Sequence, residues 1–319
     1  MRSFRSTAFG AALLALALVG AACAEEQPGG GGGGGGGGEG DTVASQLTFG
    51  GPPECPERPF CLPGLQETYG IEFAEFVPLD VGGPLTVEAL QNGDIDVALL
   101  FSTSSVIVDE GWVVLEDDQG LQAAENITPV VRTEVLDDVI TERLNAISAA
   151  LTTENITELN GRVEIDGEDP ADVAADFLES EGLLGGASGS GEVTVGAVAF
   201  AENQIAAEMY AQSLEDAGYT VDRQLTLDSR EILQPAIENG EIDIAPEYLA
   251  SLLLFLDPEA QATGDPENNR SLLEPLLEER GQTLLESAEA NDTNALVVTQ
   301  ETADQYGLST TSDLAQPAG

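Results

Sequence analysis

Histidine and lysine are absent from this chain of 319 residues, and arginine occurs ten times. Without histidine the sequence lacks the side chain that most often acts as a general base near neutral pH, and the commonest zinc ligand. The ten arginines face 58 Asp and Glu, giving a formal net charge of −48. The acids run through the whole chain, which reads as a solvated surface rather than an acidic tail. Nucleic acid is therefore no partner, because its recognition needs a basic footprint. No Gly-x-Ser-x-Gly elbow, no phosphate-cradling glycine loop before a helix and no metal-ligand cluster is present. The common signatures of hydrolases, nucleotide enzymes and metalloenzymes are thus missing, and no cofactor is expected. After the first 22 residues no apolar run is long enough to span a bilayer.

The N-terminus carries what the rest lacks. Arg2 and Arg5 precede an apolar stretch over 9–22, followed by small residues and Cys23. A basic start, a short apolar core and small residues read as a secretory signal over 1–22. Gly20-Ala21-Ala22-Cys23 is similar to a bacterial lipobox, with Gly20 where that motif usually has leucine, and implies that Cys23 becomes a lipidated first residue. The alternative is an ordinary signal cut near Ala22 or Ala24. Residues 23–45 include ten consecutive glycines, Gly29 to Gly38, and read as a flexible tether between an anchor and a folded body. An exported location lets the two remaining cysteines, Cys55 and Cys61, pair and brace the short loop that holds Arg58. A metal site is the competing reading, though two cysteines without histidine make a poor one.

A passage occurs twice. Residues 89–98 read ALQNGDIDVA and residues 236–245 read AIENGEIDIA. Each copy is a helix end, an Asn-Gly stop and a short apolar strand containing one Asp. Glycine just past a helix adopts the left-handed conformation at little cost. Two such units imply two similar α/β lobes with a cleft between them, where small ligands bind at strand ends. Helices are expected over 65–69, 87–91, 136–151, 156–163, 170–184, 203–217 and 229–238, and 251–256, 271–281 and 302–314 complete the alternating pattern. Strands are expected over 46–51, 71–77, 95–101, 112–115, 193–198, 219–227 and 242–245. In 170–184, Val173, Phe177, Leu183 and Leu184 are expected on one side. The alternation predicts mostly parallel sheets covered by helices on both faces. A second Gly/Ser linker occupies 186–191, and the folded part is cut open at both chain ends.

Several stretches resemble the glycine betaine/choline-type binding proteins of ATP-driven osmoprotectant importers. Residues 194–202, Asn239-Gly240-Glu241-Ile242-Asp243-Ile244-Ala245-Pro246-Glu247-Tyr248 and 301–314 resemble the first half of that family. Phe49-Gly50-Gly51-Pro52-Pro53-Glu54, Arg58-Pro59, Leu62-Pro63-Gly64-Leu65, 93–103 and Pro129-Val130-Val131-Arg132 resemble its second half. The order of the halves is inverted, so the resemblance implies a circular permutation; a truncated tandem of two domains is the alternative. The implied fold is α/β, a two-lobe type II periplasmic-binding-protein-like fold in which one lobe is built from both chain ends. Lobe II takes 46–126 and 294–319, and lobe I takes 127–185 and 192–293. Hinges are expected near 123–127 and 291–295.

The resemblance also implies a cage of aromatic rings for an ammonium head and donors for a carboxylate. Ring faces attract a cation that cannot hydrogen-bond. Tyr248 and Phe101 fall on two cage positions, while Asn294 and Glu125 fall where the family has its other two rings. Arg58 matches an arginine that can hold a carboxylate, Ser251 replaces an assisting Thr, and Val198 stands where some members place a lysine. Such a site suits an amine or zwitterion with N–H donors better than a fully methylated ammonium. The bland readings are core packing for Phe101 and Tyr248, solvated charge for Glu125, a turn cap for Asn294 and a surface ion pair for Arg58. Asp96 and Asp243 are expected to secure backbone. The implied role is an extracytoplasmic solute-binding lipoprotein, held at the outer face of the cytoplasmic membrane by Cys23 and working with the permease subunits of an importer. The competing functions are a ligand sensor uncoupled from transport and an enzyme using paired carboxylates.

Overall fold

The computed structural model describes residues 41–318, apart from Val81 and Ala187. The signal, Cys23 and all but the end of the tether lie outside the described residues. In chain order the elements are β1 (Thr48–Gly51), α1 (Leu62–Gly64), β2 (Glu75–Pro78), α2 (Pro84–Asn92), β3 (Val97–Phe101), α3 (Ser105–Asp109), β4 (Val113–Leu115) and β5 (Ile127–Arg132). Helices α4 (Asp138–Ala150), α5 (Thr153–Glu164) and α6 (Pro170–Ser180) follow, then β6 (Glu192–Val198), α7 (Ala201–Ala217), β7 (Thr220–Leu227), α8 (Arg230–Asn239) and β8 (Ile244–Tyr248). The chain closes with α9 (Leu249–Leu256), α10 (Pro266–Glu278), β9 (Gln282–Leu284), β10 (Asn294–Val298) and α11 (Gln300–Tyr306).

Local chemistry sets many of these boundaries. Asp137 and Asp169 accept backbone amides at the starts of α4 and α6, and Pro170 occupies the first turn of α6. Proline is pre-shaped for that position and lacks only an amide that would have no partner there. Thr152 and Asn155 form a reciprocal capping box on α5. Gly93 and Gly240 end the two repeated helices at φ 73° and 75°. The helix expected over 170–184 is shorter than its sequence pattern. It stops at Ser180, Val173 and Phe177 are buried, and Leu184 is exposed. The turn ends because Gly182 takes φ 67°. Strand β2 begins at Glu75 rather than at residue 71, and the 302–314 stretch divides into α11 and a 3-10 turn, Thr311–Ala315.

Two five-stranded sheets result, ordered β2-β1-β3-β10-β4 and β7-β6-β8-β5-β9. In the first, β1 pairs parallel with β2 and β3, and β10 runs antiparallel between β3 and β4. In the second, β6 pairs parallel with β7 and β8, and β5 runs antiparallel between β8 and β9. Strands β9 and β10, short and flanked by polar loops, escape the sequence reading. The first sheet therefore draws on both ends of the described chain, and we refer to it with its helices as lobe II; the other is lobe I. Both belong to one compact unit. The ends meet: Val43 N–H donates to Gln316 O at 2.9 Å, Ala318 N–H donates to Asp41 O at 2.7 Å, and Thr42 bridges Pro317. Between α6 and β6, Gly185 N–H reaches Asp216 and Gly189 N–H reaches Ala217 O. Lobe I has a core of Ile140, Leu144, Val173, Tyr210 and Ile244, and lobe II one of Phe49, Leu65, Val97, Leu296 and Leu314. Among the described residues no helix is long and apolar enough to cross a membrane.

The chain passes between the lobes twice, through residues 116–126 and 285–293. These crossings run antiparallel and are stitched together. Ile127 N–H donates to Ala290 O at 3.1 Å, Asp292 N–H to Glu125 O at 3.2 Å, and Glu125 N–H to Asn291 Oδ1 at 2.7 Å. Thr293 Oγ1 donates to Ala123 O at 3.1 Å.

Candidate functional site

Each crossing delivers one strand against the last strand of a repeat. Strand β10 enters lobe II with Asn294 opposite Phe101, and β5 enters lobe I with Ile127 opposite Tyr248. The sheet ends of both lobes and the two crossings thus share one region, where strand ends leave backbone and side chains open to a ligand.

On the lobe I side, Asn203 fixes the turn between β6 and α7. Its Oδ1 accepts Val198 N–H at 2.7 Å, and its Nδ2 donates to Pro246 O at 3.0 Å. That anchor sets Phe200 and Glu202 beside Tyr248. The rings of Phe200 and Tyr248 have centroids 6.0 Å apart at 30°, within the range of favourable offset stacking. Tyr248 is buried and donates its hydroxyl to Glu202 Oε1 at 2.7 Å. Asn160, from α5, donates Nδ2 to Glu202 Oε2 at 3.1 Å and to Thr103 O at 3.2 Å. Thr103 lies just beyond β3 in lobe II, and its hydroxyl donates to Asp292 Oδ1 at 2.7 Å. A second contact joins the lobes nearby, from Ser105 Oγ to Glu164 Oε2 at 2.8 Å.

Glu125 is held on the other flank of the crossing. Ser251, in the first turn of α9, donates its backbone N–H at 2.9 Å and its hydroxyl at 2.7 Å to the two carboxylate oxygens. Arg230 closes a two-pronged pair on buried Glu247, with contacts of 2.8–3.1 Å. The field of this region is acidic. Burial pushes the Glu125 carboxyl up to about 7, against the pull of the Ser251 bonds and the Arg230 charge. Burial also raises Glu202, opposed by hydrogen bonds from Tyr248, Thr103 and Asn160. Burial and then the charge of Glu202 hold Asp292 well above the usual carboxylate range. Burial, followed by the same Glu202 charge, holds the Tyr248 phenol well above its ordinary value. Charges withdrawn from water beside like charges behave this way, and such clusters mark functional regions.

Five of the six ligand residues read from sequence belong to this region. Tyr248, Glu125 and Ser251 join its lobe I face and crossing. Phe101 and Asn294 form a cross-strand pair on its lobe II side, with Phe101 37% exposed. Asn294 Nδ2 reaches Gln122 Oε1 at 3.3 Å, and both line a cavity of about 110 Å³ together with Ser102, Leu65 and Thr311. Arg58 stands apart: its guanidinium pairs with Glu54 at 2.7 Å, and its side chain is 58% exposed. Among the described residues one hydrogen bond ties its loop to the site: Phe60 O accepts Gln122 Nε2 at 3.2 Å. Cys55 and Cys61 are bonded and buried. Glu202, Asp292, Asn160, Thr103 and Phe200 are not found by sequence reasoning. Fifty-eight acids hide two, although Phe200-Ala201-Glu202 at a strand-to-helix turn is the place where sites of α/β folds gather.

The family described as "Substrate binding domain of ABC-type glycine betaine transport system" matches residues 40–180 and 191–319. Glycine betaine-binding protein YehZ of Escherichia coli (strain K12) is 29% identical over 133 residues, which are 40% of this chain and 44% of that protein. A glycine-betaine-binding protein of Pseudomonas aeruginosa is 33% identical over 145 residues, 43% of this chain and 44% of that one. Carnitine transport binding protein OpuCC of Listeria monocytogenes serotype 1/2a is 32% identical over 141 residues, 43% and 46% of the two chains. Each match spans less than half the length of the relative.

Proposed function

Because this chain belongs to the family of substrate-binding domains of ABC-type glycine betaine transport systems, we propose that it captures a small amine or zwitterion outside the cytoplasm and hands it to the permease of an ATP-driven importer. The family binds solutes and carries out no catalysis. One observation carries the ligand class: Tyr248, Phe200, Glu125, Glu202 and Asp292 gather where the two crossings meet the sheet ends. Ring faces and carboxylates both favour a cation. Ligand held between the lobes stabilises the closed arrangement of the two crossings, and a permease that recognises the closed form reads occupancy.

Two further parts of the reading concern the chain's layout. Cys23 is the anchor: blocking its lipidation by Cys23→Ala is expected to move the protein from the membrane fraction to the soluble one, and unchanged fractionation would reject the anchor. The halves of the family domain stand in permuted order. The pairing of Val43 with Gln316 supports this, as does the short 185–191 connection from α6 into β6. Nearby, exposed termini tolerate such rearrangement.

Isothermal titration of the purified protein with glycine betaine, choline, carnitine and their less methylated counterparts tests the function. Saturable one-to-one binding of at least one member is the expected result. Silence across the panel, with the protein folded, rejects the receptor.

A further inference from the structure

Asn160 is 3% exposed, and its two polar atoms have different fates. Its Nδ2 bridges Glu202 and Thr103 O, which fixes the orientation of the amide. Its Oδ1 is buried and accepts no hydrogen bond among the described residues. A buried acceptor left without a donor is costly, and native interiors seldom leave one so. The orphan oxygen belongs to an amide clamped between lobe I, through Glu202, and lobe II, through Thr103. The surrounding charged groups are Glu202 at the start of α7, Asp292 on the second crossing, Glu125 on the first and Glu164 at the end of α5. The nearby cation, Arg230, is already committed to Glu247. The region thus offers a spare acceptor and carboxyl groups that a bound cation would ionise.

We propose that Asn160, Glu202 and Asp292 form a subsite for a protonated amine that presents N–H donors, with the Tyr248 and Phe200 rings beside it. This deepens the receptor reading and rests on it. A primary or secondary ammonium carries the donor that Asn160 Oδ1 lacks, and its charge favours the ionised forms of Glu202 and Asp292 that burial otherwise disfavours. A trimethylammonium carries the charge and no donor, so it leaves the amide oxygen buried and unpaired. Sites built to hydrogen-bond a group discriminate against analogues that lack it. The aromatic pair alone would make no such distinction. The subsite also gives the two lobes a shared reason to close, because Thr103 and Asp292 reach it from the lobe II side and the crossing while Asn160 and Glu202 reach it from lobe I.

The test compares molecules that differ only in methylation at nitrogen: ethanolamine against choline, and glycine against glycine betaine, each titrated calorimetrically into the purified protein. The N–H-bearing member of at least one pair is expected to bind about tenfold or more tightly than its methylated partner. Glu202→Gln and Asp292→Asn are each expected to shrink that preference, with thermal melts run in parallel to establish that the variants are folded. Equal or tighter binding of the methylated members overturns the subsite and leaves the receptor intact. Silence of all four, together with the wider betaine and carnitine panel, rejects the receptor reading and the subsite with it. The comparison of the two pairs needs no variant, so it stands even where a substitution prevents folding.

Discussion

The two lobes share a scaffold and differ at their edges. In both, a helix stops at an Asn-Gly step and feeds a buried strand, and the Asp inside the following turn reaches back to the first strand of its sheet. Asp96 Oδ2 accepts Thr48 N–H at 2.8 Å, and Asp243 Oδ2 accepts Thr194 N–H at 2.8 Å. Beyond that first strand the lobes diverge. Strand β1 runs into Pro52-Pro53 and the bonded Cys55–Cys61 loop, whereas β6 turns at Phe200 straight into α7. Of the ten arginines, Arg2 and Arg5 precede the fold, seven lie in lobe I, and Arg58 alone lies in lobe II. The repeated passage therefore preserves the parts that hold strands in register. The segments that follow the first paired strand are free to carry different chemistry, a ring and an acid at Phe200 and Glu202 in lobe I and a disulfide-braced loop in lobe II.

The Asp pair offers the largest test of this equivalence. Asp243 also accepts Arg132 Nη1 at 2.8 Å, while the Asp96 carboxylate holds only backbone among the described residues. Asp243→Ala is expected to cost about 2.5 kcal/mol, since it leaves the Thr194 amide unpaired and removes one of the two carboxylates on the half-buried Arg132 guanidinium, Glu134 remaining, and Asp96→Ala about 1 kcal/mol. Urea unfolding of the two variants reads the difference. Equal losses would mean the Arg132 pair adds nothing and the lobes are more alike than their contacts indicate. Next comes the disulfide, which only lobe II has among the described residues. Replacing Cys55 and Cys61 by serine is expected to remove about 2 kcal/mol, the value for so short a closed loop. Limited proteolysis should then cut near residues 52–61 first; cleavage beginning in lobe I instead would break the assignment of that loop as the part the bond restrains.

The glycine stops give a finer contrast. Both adopt positive φ, so a side chain at either is strained by about 1 kcal/mol. A Cβ at residue 93 meets nothing within 4 Å, whereas one at residue 240 comes within 2.7 Å of Arg132 Nη1. Gly240→Ala is expected to cost about 1.5 kcal/mol and Gly93→Ala about 1 kcal/mol. Identical melting shifts would show that Arg132 moves aside freely.

The scaffold is legible in sequence because its causes are local. The doubled helix–Asn-Gly–strand passage, Pro170 in a first turn and the alternating β–α pattern each act within a few residues. Strands β9 and β10 are not legible. They are short, and β10 is defined by pairing with Phe101 and Leu99 almost 200 residues away. The site is half legible. Tyr248, Phe101, Glu125, Ser251 and Asn294 come from the resemblance to the binding-protein family, and the structure sets them at strand ends, on the crossings and in the first turn of α9. Glu202 and Asp292 do not stand out, since nothing in their sequence neighbourhoods distinguishes them from acids on the surface; only the Tyr248 and Thr103 hydroxyls that contact them do so. Arg58 stands out in sequence by its rarity, and rarity says nothing about the direction its side chain takes.

Acids of the cleft and of lobe II also respond to pH in opposite senses. Burial pushes Asp80 upward, but the amides of Leu85, Thr86 and Gly83 and the Thr86 hydroxyl outweigh it and hold it below the ordinary range. Its contribution to stability is present above that range and is lost as pH falls through its folded value. Glu125 is the reverse. Its folded value near 7 exceeds the unfolded one, so the folded state holds its proton more tightly. That contribution is complete below the ordinary carboxylate range and is lost as pH rises through about 7. For a side chain partly open to solvent, the loss between about pH 5 and pH 7 is discounted to about 1 kcal/mol. Glu125→Gln should flatten this part of the stability profile, while Asp80→Asn should leave it alone and alter only the acid limb. If Glu125→Gln retains the full slope from about pH 5 to 7, the proton is held elsewhere in the cleft, on Glu202 or Asp292, and the same profile measured on Glu202→Gln and Asp292→Asn identifies which.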